Sequence, residues 1–382
     1  MASAHADNAE FLTAVYEIDG PESHARMTAE RICADQTIEA DQELLSASLR
    51  SRVLGRLERL QAVGHGRYQA TIRFNGDVLG GDCSDVLNLL FGTSSLRGEV
   101  TLASFMMTDG LLSSWAGPRF GLDGIRQSVG ISHRPLLCAV LKPLGRSAQE
   151  LAALATQFVE GGVDLVKDDQ SLVDQPWCSF EERSARCAEA IGCASVKRGR
   201  PCLYFAHVSG ALDVMRRRVA QAKALGVTGI LVAPGLTGFD ALRALTMDDH
   251  VALPIASHPA MLGAFIDRGQ GGLAPSVVYG LLPRLVGVDL SIYPAFGSGY
   301  PISEDDCASV ASSCQQAWGH LKPMMPAVGG RIGSERLPEI VSTIGTNSMS
   351  ILGSRIQQHP KGVVAAIQEI HLSLEERYGK SG

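Results

Sequence analysis

The sequence lacks any stretch that reaches the roughly 18 uninterrupted apolar residues of a membrane-spanning helix. Residues 1–10 are polar and contain no apolar core of the kind that a secretory signal carries. Together these absences predict a soluble, cytoplasmic protein without a membrane partner.

No run rich in lysine and arginine occurs either. The chain has 34 Lys and Arg residues against 40 Asp and Glu residues, which gives a formal net charge of -6. A protein that binds a nucleic-acid backbone needs a basic patch or stripe. We therefore expect no nucleic-acid partner.

Cysteine is present, but not in a pattern that indicates disulfides or zinc. The nine cysteines are scattered, without CxxC spacing and without an even framework, which favours reduced core residues. The chain is otherwise an ordinary globular sequence of 382 residues, 45% hydrophobic and 19% charged. That length is sufficient for two domains.

From about residue 130 onward, short apolar runs alternate with stretches of helical period. This alternation is typical of βα units. Eight runs are predicted strands: 136–141, 163–166, 202–206, 229–232, 254–256, 288–292, 324–327 and 348–352. The predicted helices between and after them are 148–160, 181–195, 211–225, 304–318, 335–344 and 362–378. Eight such units predict a (β/α)8 TIM barrel.

The first part of the chain has a different pattern. Residues 11–18 and 66–74 alternate as strands do, whereas 27–38 and 85–90 have helical periodicity. These elements predict a small α+β domain of ferredoxin-like type. The pattern breaks between about 115 and 135, and we predict an amino-terminal domain over 1–125 and a barrel over 126–382.

Polar residues follow most of the predicted barrel strands. In a (β/α)8 barrel the carboxyl ends of the strands hold the chemistry, so these residues are predicted to meet at one mouth. They are Lys142, Lys167-Asp168-Asp169-Gln170, His207, His258, Gly329-Gly330-Arg331 and Gly353-Ser354-Arg355. The acidic cluster predicts a metal site, and the glycine turns after the last two strands predict a phosphate site.

Each of these features also has a simpler interpretation. A Lys-Asp-Asp run can be a solvated ion pair, and His258 can be a structural, hydrogen-bonded histidine. Glycine turns can serve only the backbone conformation. The combination at consecutive strand ends favours a functional site.

The order of these elements resembles the large subunit of ribulose-bisphosphate carboxylase (RuBisCO), and more closely its non-carboxylating relatives, the RuBisCO-like proteins. The resemblance spans nearly the whole chain, and the Gly-Gly-x-Asp-x-x-Lys-Asp-Asp segment ending at Asp169 is its most specific part. The matching segments are 88–92, 134–138, 141–143, 161–169, 174–176, 236–238, 258–261, 329–330 and 359–360. The resemblance implies the same two-domain fold.

The resemblance also implies roles for single residues. Lys167 matches the lysine that CO2 converts to a carbamate ligand of Mg2+, and Asp169 matches the next metal ligand. Lys142 matches a lysine that handles protons during enolisation, and His258 matches a histidine general base. The phosphate of the substrate is expected on the backbone of Gly329, Gly330, Gly353 and Ser354.

Some positions depart from the carboxylase pattern. Gln170 stands where the third metal ligand is normally glutamate; an amide oxygen can still coordinate Mg2+ but carries no charge. Pro259 and Leu262 replace an arginine and a histidine of the second phosphate site, and Val328 replaces a serine. The stretch 290–304 contains no lysine to match that of the carboxylase mobile loop. We therefore expect no CO2 fixation.

What remains implies enolate or enediolate chemistry on a singly phosphorylated keto-sugar or keto-sugar acid. We favour a lyase that decarboxylates a 3-oxo sugar-acid phosphate of the 3-oxo-isoapionate 4-phosphate type, because Gln170 departs from the ligand set of the salvage enolases. The alternatives are a 2,3-diketo-5-methylthiopentyl-1-phosphate enolase or a methylthioribulose-1-phosphate isomerase of methionine salvage, and a non-catalytic regulatory relative.

The resemblance further implies a homodimer in which the amino-terminal domain of one subunit closes the barrel mouth of the other. Asn88 and Thr93 are the candidates for the contact that this domain makes with the partner's site.

Overall fold

The computed structural model describes residues 10–40, 43 and 45–379. The amino-terminal elements are β1 (Phe11–Asp19), α1 (Glu22–Asp35), α2 (Ala47–Val53), β2 (Arg56–Gly64), β3 (Arg67–Asn75), α3 (Cys83–Phe91) and β4 (Val100–Met107). The strands lie in the order β4-β1-β3-β2 with antiparallel neighbours. This is the ferredoxin-like arrangement, and the predicted fold of this part is confirmed.

One face of this sheet forms the core of the domain. Along β1 every second residue is fully buried, from Leu12 to Ile18, as expected for a strand with one covered face. Helix α3 closes over this face, where the hydroxyl group of Tyr16 donates to the carbonyl oxygen of Leu90 at 2.6 Å.

The rest of the chain forms a closed barrel of eight parallel strands. The strands in chain order are β5 (Leu136–Leu141), β6 (Leu165–Asp168), β7 (Leu203–His207), β8 (Gly229–Val232), β9 (Ile255–Ser257), β10 (Gly272–Leu273), β11 (Leu290–Pro294), β12 (Met325–Gly329) and β13 (Met349–Leu352). All except β10 belong to the barrel, in which β13 pairs with β5 and closes the ring. The predicted TIM barrel is confirmed.

The helices of this half are α4 (Asp109–Leu112), α5 (Gly121–Val129), α6 (Ala148–Gly161), α7 (Phe180–Arg198), α8 (Leu212–Ala224), α9 (Pro234–Thr237), α10 (Phe239–Thr246), α11 (Leu282–Leu285), α12 (Glu304–Gln315), α13 (Leu337–Ile344) and α14 (Gly362–Tyr378). Within the described part of the chain, none of the helices has the length and apolar character that crossing a bilayer requires.

Strand β2 was not predicted, and two predicted helices have different bounds in the structure. Strand β2 has no buried residue, so its sequence carries no apolar alternation that could reveal it. Helix α1 begins at Glu22, directly after Pro21, and thus ahead of the predicted start at 27. Helix α12 ends at Gln315, short of the predicted 318.

Helix α5 packs against the amino-terminal end of the barrel. Its Leu122, Ile125 and Val129 are buried in the same apolar cluster as the inward side chains of the strands. The predicted boundary between 125 and 126 falls inside this helix, and the division into two domains stays a prediction.

The two halves of the chain are joined by hydrogen bonds as well as by apolar packing. The carboxylate of Asp240, in α10, accepts the backbone N–H groups of Cys83 and Ser84 at 2.9 and 2.8 Å. These N–H groups lie in the first turn of α3, where a helix has no internal acceptors for them. Strand β10 pairs in parallel with β4 and extends the amino-terminal sheet.

A buried ion pair joins the strands β5 and β6 at their amino-terminal ends. The guanidinium group of Arg134 donates to both carboxylate oxygens of Asp164, at 2.7 and 3.0 Å, and both side chains are fully buried. Asp164 also accepts the N–H of Leu137 at 2.9 Å. Two segments of the RuBisCO resemblance, 134–138 and 161–169, therefore contain residues that position the strands.

We predict that Arg134→Met lowers the free energy of unfolding by about 3–5 kcal/mol, because the buried carboxylate of Asp164 loses its two-bond partner and keeps only Arg200 at 3.3 Å. The matched control is Arg217→Met, since Arg217 pairs with Asp213 at 2.7 Å on the exposed surface of α8. That change is expected to cost about 1 kcal/mol or less. Urea unfolding of both variants is the measurement, and equal losses would contradict the assigned role of Arg134.

Candidate active site at the barrel mouth

The candidate residues lie on one edge of the barrel because of strand alternation. In β5, β6 and β9 the inward side chains include Val140, Leu165 and Ala256. Two residues further along the same face come Lys142, Lys167 and His258. Side chains two apart on a strand share a face, so these three groups point toward the barrel axis at its carboxyl end.

The centre of the site is an ion pair between Lys142 and Asp169. The Lys142 ammonium lies 2.8 Å from Oδ2 of Asp169, and the backbone N–H of Ser171 donates to Oδ1 at 3.0 Å. Burial by itself would raise the pKa of Asp169, but the Lys142 ammonium and the Ser171 N–H outweigh it and leave the pKa below its ordinary value. Asp169 is therefore an anion in this site.

Lys167 is almost completely buried, with 4% of its surface exposed. Its amine donates to the carbonyl oxygen of Asp168 at 2.7 Å. Burial lowers the pKa of Lys167, although Cys138 and Asp169 oppose this shift. Burial thus shifts Lys167 toward the neutral amine, which is the nucleophilic form of lysine.

Asp168 faces away from the mouth, although it stands between Lys167 and Asp169 in the sequence. Its carboxylate accepts hydrogen bonds from Arg183 at 3.1 Å, from the hydroxyl group of Tyr204 at 2.9 Å and from the backbone N–H of His207 at 3.0 Å. Adjacent strand residues point to opposite faces, which explains the difference. Asp168 holds β6, β7 and α7 together.

Gln170 lies at the end of β6 and is half-buried. Its side-chain amide makes no hydrogen bond to any residue that the structure describes. Oδ2 of Asp169 is likewise buried and accepts no directed hydrogen bond apart from its ion pair with Lys142. Free oxygen donors suit a hard cation such as Mg2+.

The site is poor in metal ligands as it stands. Over residues 10–40, 43 and 45–379, no group of three or more His, Cys, Asp or Glu side chains is placed to hold a metal ion. Asp169 is the carboxylate among the three predicted ligands Lys167, Asp169 and Gln170. These residues fit Mg2+ if Lys167 is converted to an anionic oxygen ligand.

His258 is held in one orientation by its neighbour. The backbone N–H of Ala260 donates to Nδ1 of His258 at 3.1 Å, which leaves the proton of the neutral ring on Nε2. Burial lowers the pKa of His258 to about 2, and repulsion from the protonated forms of Lys167 and His207 adds to this effect. The ring is neutral, but its unprotonated nitrogen, Nδ1, is the one that accepts from Ala260, and the role of His258 as the base stays a prediction.

His207, in contrast, uses both of its ring nitrogens inside the protein. A carbonyl oxygen can only accept, so Nδ1 donates to Leu172 at 3.2 Å and Nε2 accepts from the hydroxyl group of Ser209 at 2.7 Å. Oγ of Ser209 in turn accepts the N–H of Ala233 at 2.8 Å. His207 is a structural part of the site wall.

The predicted phosphate residues lie together on two neighbouring strands, since Gly329 of β12 pairs with Ile351 of β13. Gly330 has a φ of 111°, and a Cβ atom there would lie 2.6 Å from Cβ of Ser298. A Cβ atom on Gly353 would meet no heavy atom within 4 Å. Ser354 follows and begins a short 3-10 helix. The backbone thus leaves open space at Gly353, whereas Gly330 packs closely against Ser298.

Two residues that support the site carry no signal in the sequence. Nε2 of Gln357 donates to the carbonyl oxygen of Lys142 at 3.1 Å and links the β13 side of the mouth to β5. Nη2 of Arg336 donates to the carbonyl oxygen of Phe296 at 2.5 Å and fastens the loop between β11 and α12. Both contacts join loops distant in sequence, so no periodicity could have indicated them.

Asn88 and Thr93 make their described contacts within the amino-terminal domain. Nε2 of Gln36 donates to the carbonyl oxygen of Asn88 at 3.3 Å, and Oε1 of Gln36 accepts the N–H of Thr93 at 3.0 Å. The hydroxyl group of Thr93 donates to Glu39 at 3.3 Å. Their predicted contact with a partner's site stays a prediction.

A ferredoxin-like domain joined to a (β/α)8 barrel, with lysines and an aspartate at the mouth, defines the class of fold and site. The family model for the ribulose bisphosphate carboxylase large chain, catalytic domain, matches residues 121–378. The chain belongs to this family and, within it, to the non-carboxylating RuBisCO-like proteins.

Individual relatives agree with this assignment. Ribulose bisphosphate carboxylase-like protein 1 of Rhodopseudomonas palustris is 29% identical over 351 residues, which cover 92% of this chain and 94% of the relative. A crystal structure of a Rubisco-like protein from Rhodopseudomonas palustris has a TM-score of 0.86 at 29% identity, covering 97% of this chain and 99% of that one. The 2,3-diketo-5-methylthiopentyl-1-phosphate enolase of Geobacillus kaustophilus is 31% identical over 308 residues, or 80% and 73% of the two chains.

We predict that His207 makes the fold less stable in acid. Burial lowers the pKa of His207 to about 4, below the value of about 6.5 in an unfolded chain. Between these two values the unfolded state binds more protons, so stability falls as the pH drops from about 6.5 through 4. The contribution of His207 to this loss amounts to about 3 kcal/mol.

The measurement is the urea midpoint of wild type and His207→Gln at several pH values from 7 down to 4. The variant is expected to lose less stability over this range than the wild type. His250→Gln is the control, because His250 is exposed and should leave the pH dependence unchanged. Parallel curves for wild type and His207→Gln would contradict the assignment.

Proposed function

We propose that this RuBisCO-like protein is a magnesium-dependent enzyme that forms an enolate or enediolate from a singly phosphorylated keto-sugar or keto-sugar acid. The observation that carries the proposal is the cluster of Lys142, Lys167 and Asp169 at the barrel mouth. The salt bridge of Lys142 and Asp169 and the burial of Lys167 place two amines and one carboxylate where the neighbouring strands carry the glycine turns.

The proposed metal site depends on the chemistry of Lys167. A neutral amine adds to CO2 and releases a proton, and the product is a carbamate with two oxygen atoms and a negative charge. The burial that lowers the pKa of Lys167 favours this reaction. The carbamate, the carboxylate of Asp169 and the amide oxygen of Gln170 would then hold the ion. Bound Mg2+ would polarise a substrate carbonyl and stabilise negative charge on its oxygen.

The proton transfers are assigned to residues of this chain. Lys142 carries an ammonium group held by Asp169, and we infer that it delivers or accepts a proton during enolisation once a substrate occupies the mouth. His258 is neutral, and we infer that it serves as the general base through Nδ1, which exchanges the hydrogen bond from the Ala260 N–H for the substrate proton. Backbone N–H groups of Gly329, Gly330, Gly353 and Ser354 are proposed to bind the single phosphate.

The turn after β9 supports the restriction to one phosphate. In this turn Leu262 is buried and its N–H donates to the carbonyl oxygen of Pro259 at 3.0 Å. Neither side chain can bind a phosphate, whereas the resemblance places an arginine and a histidine there in carboxylases. The loop between β11 and α12 also contains no lysine. We therefore propose no carboxylation of a bisphosphate.

Two substrate classes remain within the proposal. The uncharged Gln170 favours decarboxylation of a 3-oxo sugar-acid phosphate, in which loss of CO2 leaves the enediolate directly. The similarity to a 2,3-diketo-5-methylthiopentyl-1-phosphate enolase favours enolisation of a methylthio-sugar phosphate or the related isomerisation. Both reactions use the same metal, phosphate site and enolate.

We also propose that the protein is a homodimer with the partner's amino-terminal domain over the mouth. Large apolar side chains on the loops beyond β5, β6 and β9 are exposed: Leu144 by 48%, Trp177 by 54%, Met261 by 57% and Phe265 by 49%. Large apolar side chains exposed on several loops around one mouth are consistent with an interaction surface.

The test is to supply 3-oxo-isoapionate 4-phosphate, 2,3-diketo-5-methylthiopentyl 1-phosphate and methylthioribulose 1-phosphate separately, with Mg2+ and bicarbonate. CO2 release, enol absorbance and NMR spectra of the products distinguish the three reactions. We expect turnover of one substrate, its loss in Lys167→Ala, and full activity in Lys197→Ala, whose lysine is exposed on α7. No turnover of any substrate, or activity that does not respond to bicarbonate, would contradict the proposal.

We predict that Gln170→Glu tightens Mg2+ binding by about tenfold or more in the presence of bicarbonate, because ligand charge sets the affinity of oxygen sites. Isothermal titration calorimetry with Mg2+ is the measurement. Gln221→Glu on the exposed face of α8 adds the same charge far from the mouth and is expected to change nothing. If the two variants titrate alike, Gln170 is not a ligand.

A further inference from the structure

The loop between β11 and α12 packs directly on the glycine turn after β12. A Cβ atom on Gly330 would lie 2.6 Å from Cβ and 3.3 Å from Oγ of Ser298. Ser298 is 4% exposed, and its hydroxyl group has no hydrogen-bond partner among the described residues. A buried hydroxyl group without a partner is costly. This one lies against the backbone of the proposed phosphate site.

Arg331 follows Gly330 and adopts a φ of 51°, which non-glycine residues rarely take. Its guanidinium carbon lies 3.5 Å from the place of a Cβ atom on Gly299, in the same loop as Ser298. In the described part of the chain, no carboxylate lies within 4 Å of this guanidinium group and no hydrogen bond occupies it. The nearby arginines differ, since Arg355 pairs with Glu335 and Arg336 binds the Phe296 carbonyl.

We propose that the guanidinium group of Arg331 and the hydroxyl group of Ser298 donate to the bound phosphate, in addition to the backbone N–H groups of the glycine turns. This inference rests on the proposed function, because it concerns the single phosphate of that substrate. A guanidinium group matches the oxygens of a phosphate with two parallel N–H donors. The hydroxyl group of Ser298, which lies next to Gly330, supplies a further donor.

The backbone conformation agrees with this assignment. Gly330 and Arg331 both have positive φ values, 111° and 51°, so the turn that carries the guanidinium group has a conformation that residues other than glycine seldom take. Glycine would be easier to accommodate at position 331 than arginine. Arg331 is exposed, so its guanidinium group, which has no partner among the described residues, is accessible to an anionic ligand.

Arg331 also supplies a positive charge near the loop where the carboxylase pattern has a lysine and this chain has none. The loop between β11 and α12 has no lysine, but it packs against the guanidinium group of Arg331. The positive charge is thus carried by Arg331 on the turn after β12, and its guanidinium group packs against the loop at Gly299. A substrate phosphate bound there would join the two loops through Arg331 and Ser298.

The test uses inorganic phosphate as the probe and isothermal titration calorimetry of the full chain. Arg331→Gly keeps the φ of 51° without strain, so it is expected to fold, and it should weaken phosphate binding at least about tenfold. Ser298→Ala should weaken it about three- to fivefold. Arg217→Gly is not a suitable control in a helix; Arg217→Gln removes the same charge from the surface of α8 and should bind phosphate as wild type does.

A second readout separates this inference from the proposed function. Wild type that binds phosphate without turning over any of the three substrates would remove the proposed function and leave the phosphate assignment intact. Arg331→Gly and Ser298→Ala variants that bind phosphate as tightly as wild type would overturn the inference while the proposed function stands. With an active substrate, Arg331→Gly is expected to raise KM about tenfold or more, and an unchanged KM would also overturn the inference.

Discussion

Strand alternation around the closed barrel is the constraint on which the rest of the site depends. Each strand contributes apolar side chains to the interior, and the next inward position beyond them projects into the mouth. Lys142, Lys167 and His258 occupy such positions on three strands. A shift of one residue in the register of β6 would exchange Asp168 for its neighbours and remove Lys167 from the mouth. The buried pair of Arg134 and Asp164 holds this register at the opposite end.

The protonation of the groups at the mouth depends mainly on their burial, which shifts their pKa values. Burial disfavours the charged forms of Lys167 and His258, whereas Asp169 stays an anion because Lys142 and the N–H of Ser171 compensate for its burial. Burial therefore moves Lys167 toward the nucleophilic amine, whereas Lys142 is ion-paired with Asp169. Environment, not residue type, distinguishes the two.

The sequence predicted the strands of the barrel and the residues at their ends, because both follow from periodicity and from the RuBisCO resemblance. It could not predict that Asp168 binds Arg183, Tyr204 and the backbone of β7, since that depends on which face of β6 looks inward. Strand β2 has no apolar face to reveal it. Arg331 stood beside the predicted glycines, but its packing on Gly299 depends on a loop conformation that no sequence period encodes.

The charge balance of the proposed metal site links Gln170 to the kind of substrate. A carbamate and one aspartate would offset the charge of Mg2+, and the ammonium group of Lys142 would make the assembly positive, whereas a glutamate at position 170 would cancel that positive charge. A positive assembly attracts an anionic substrate more than a neutral one does. A keto-sugar acid phosphate carries a carboxylate in addition to its phosphate, and a methylthio-sugar phosphate does not. The neutral amide of Gln170 therefore benefits the more highly charged substrate more, which is the physical reason to connect it with decarboxylation.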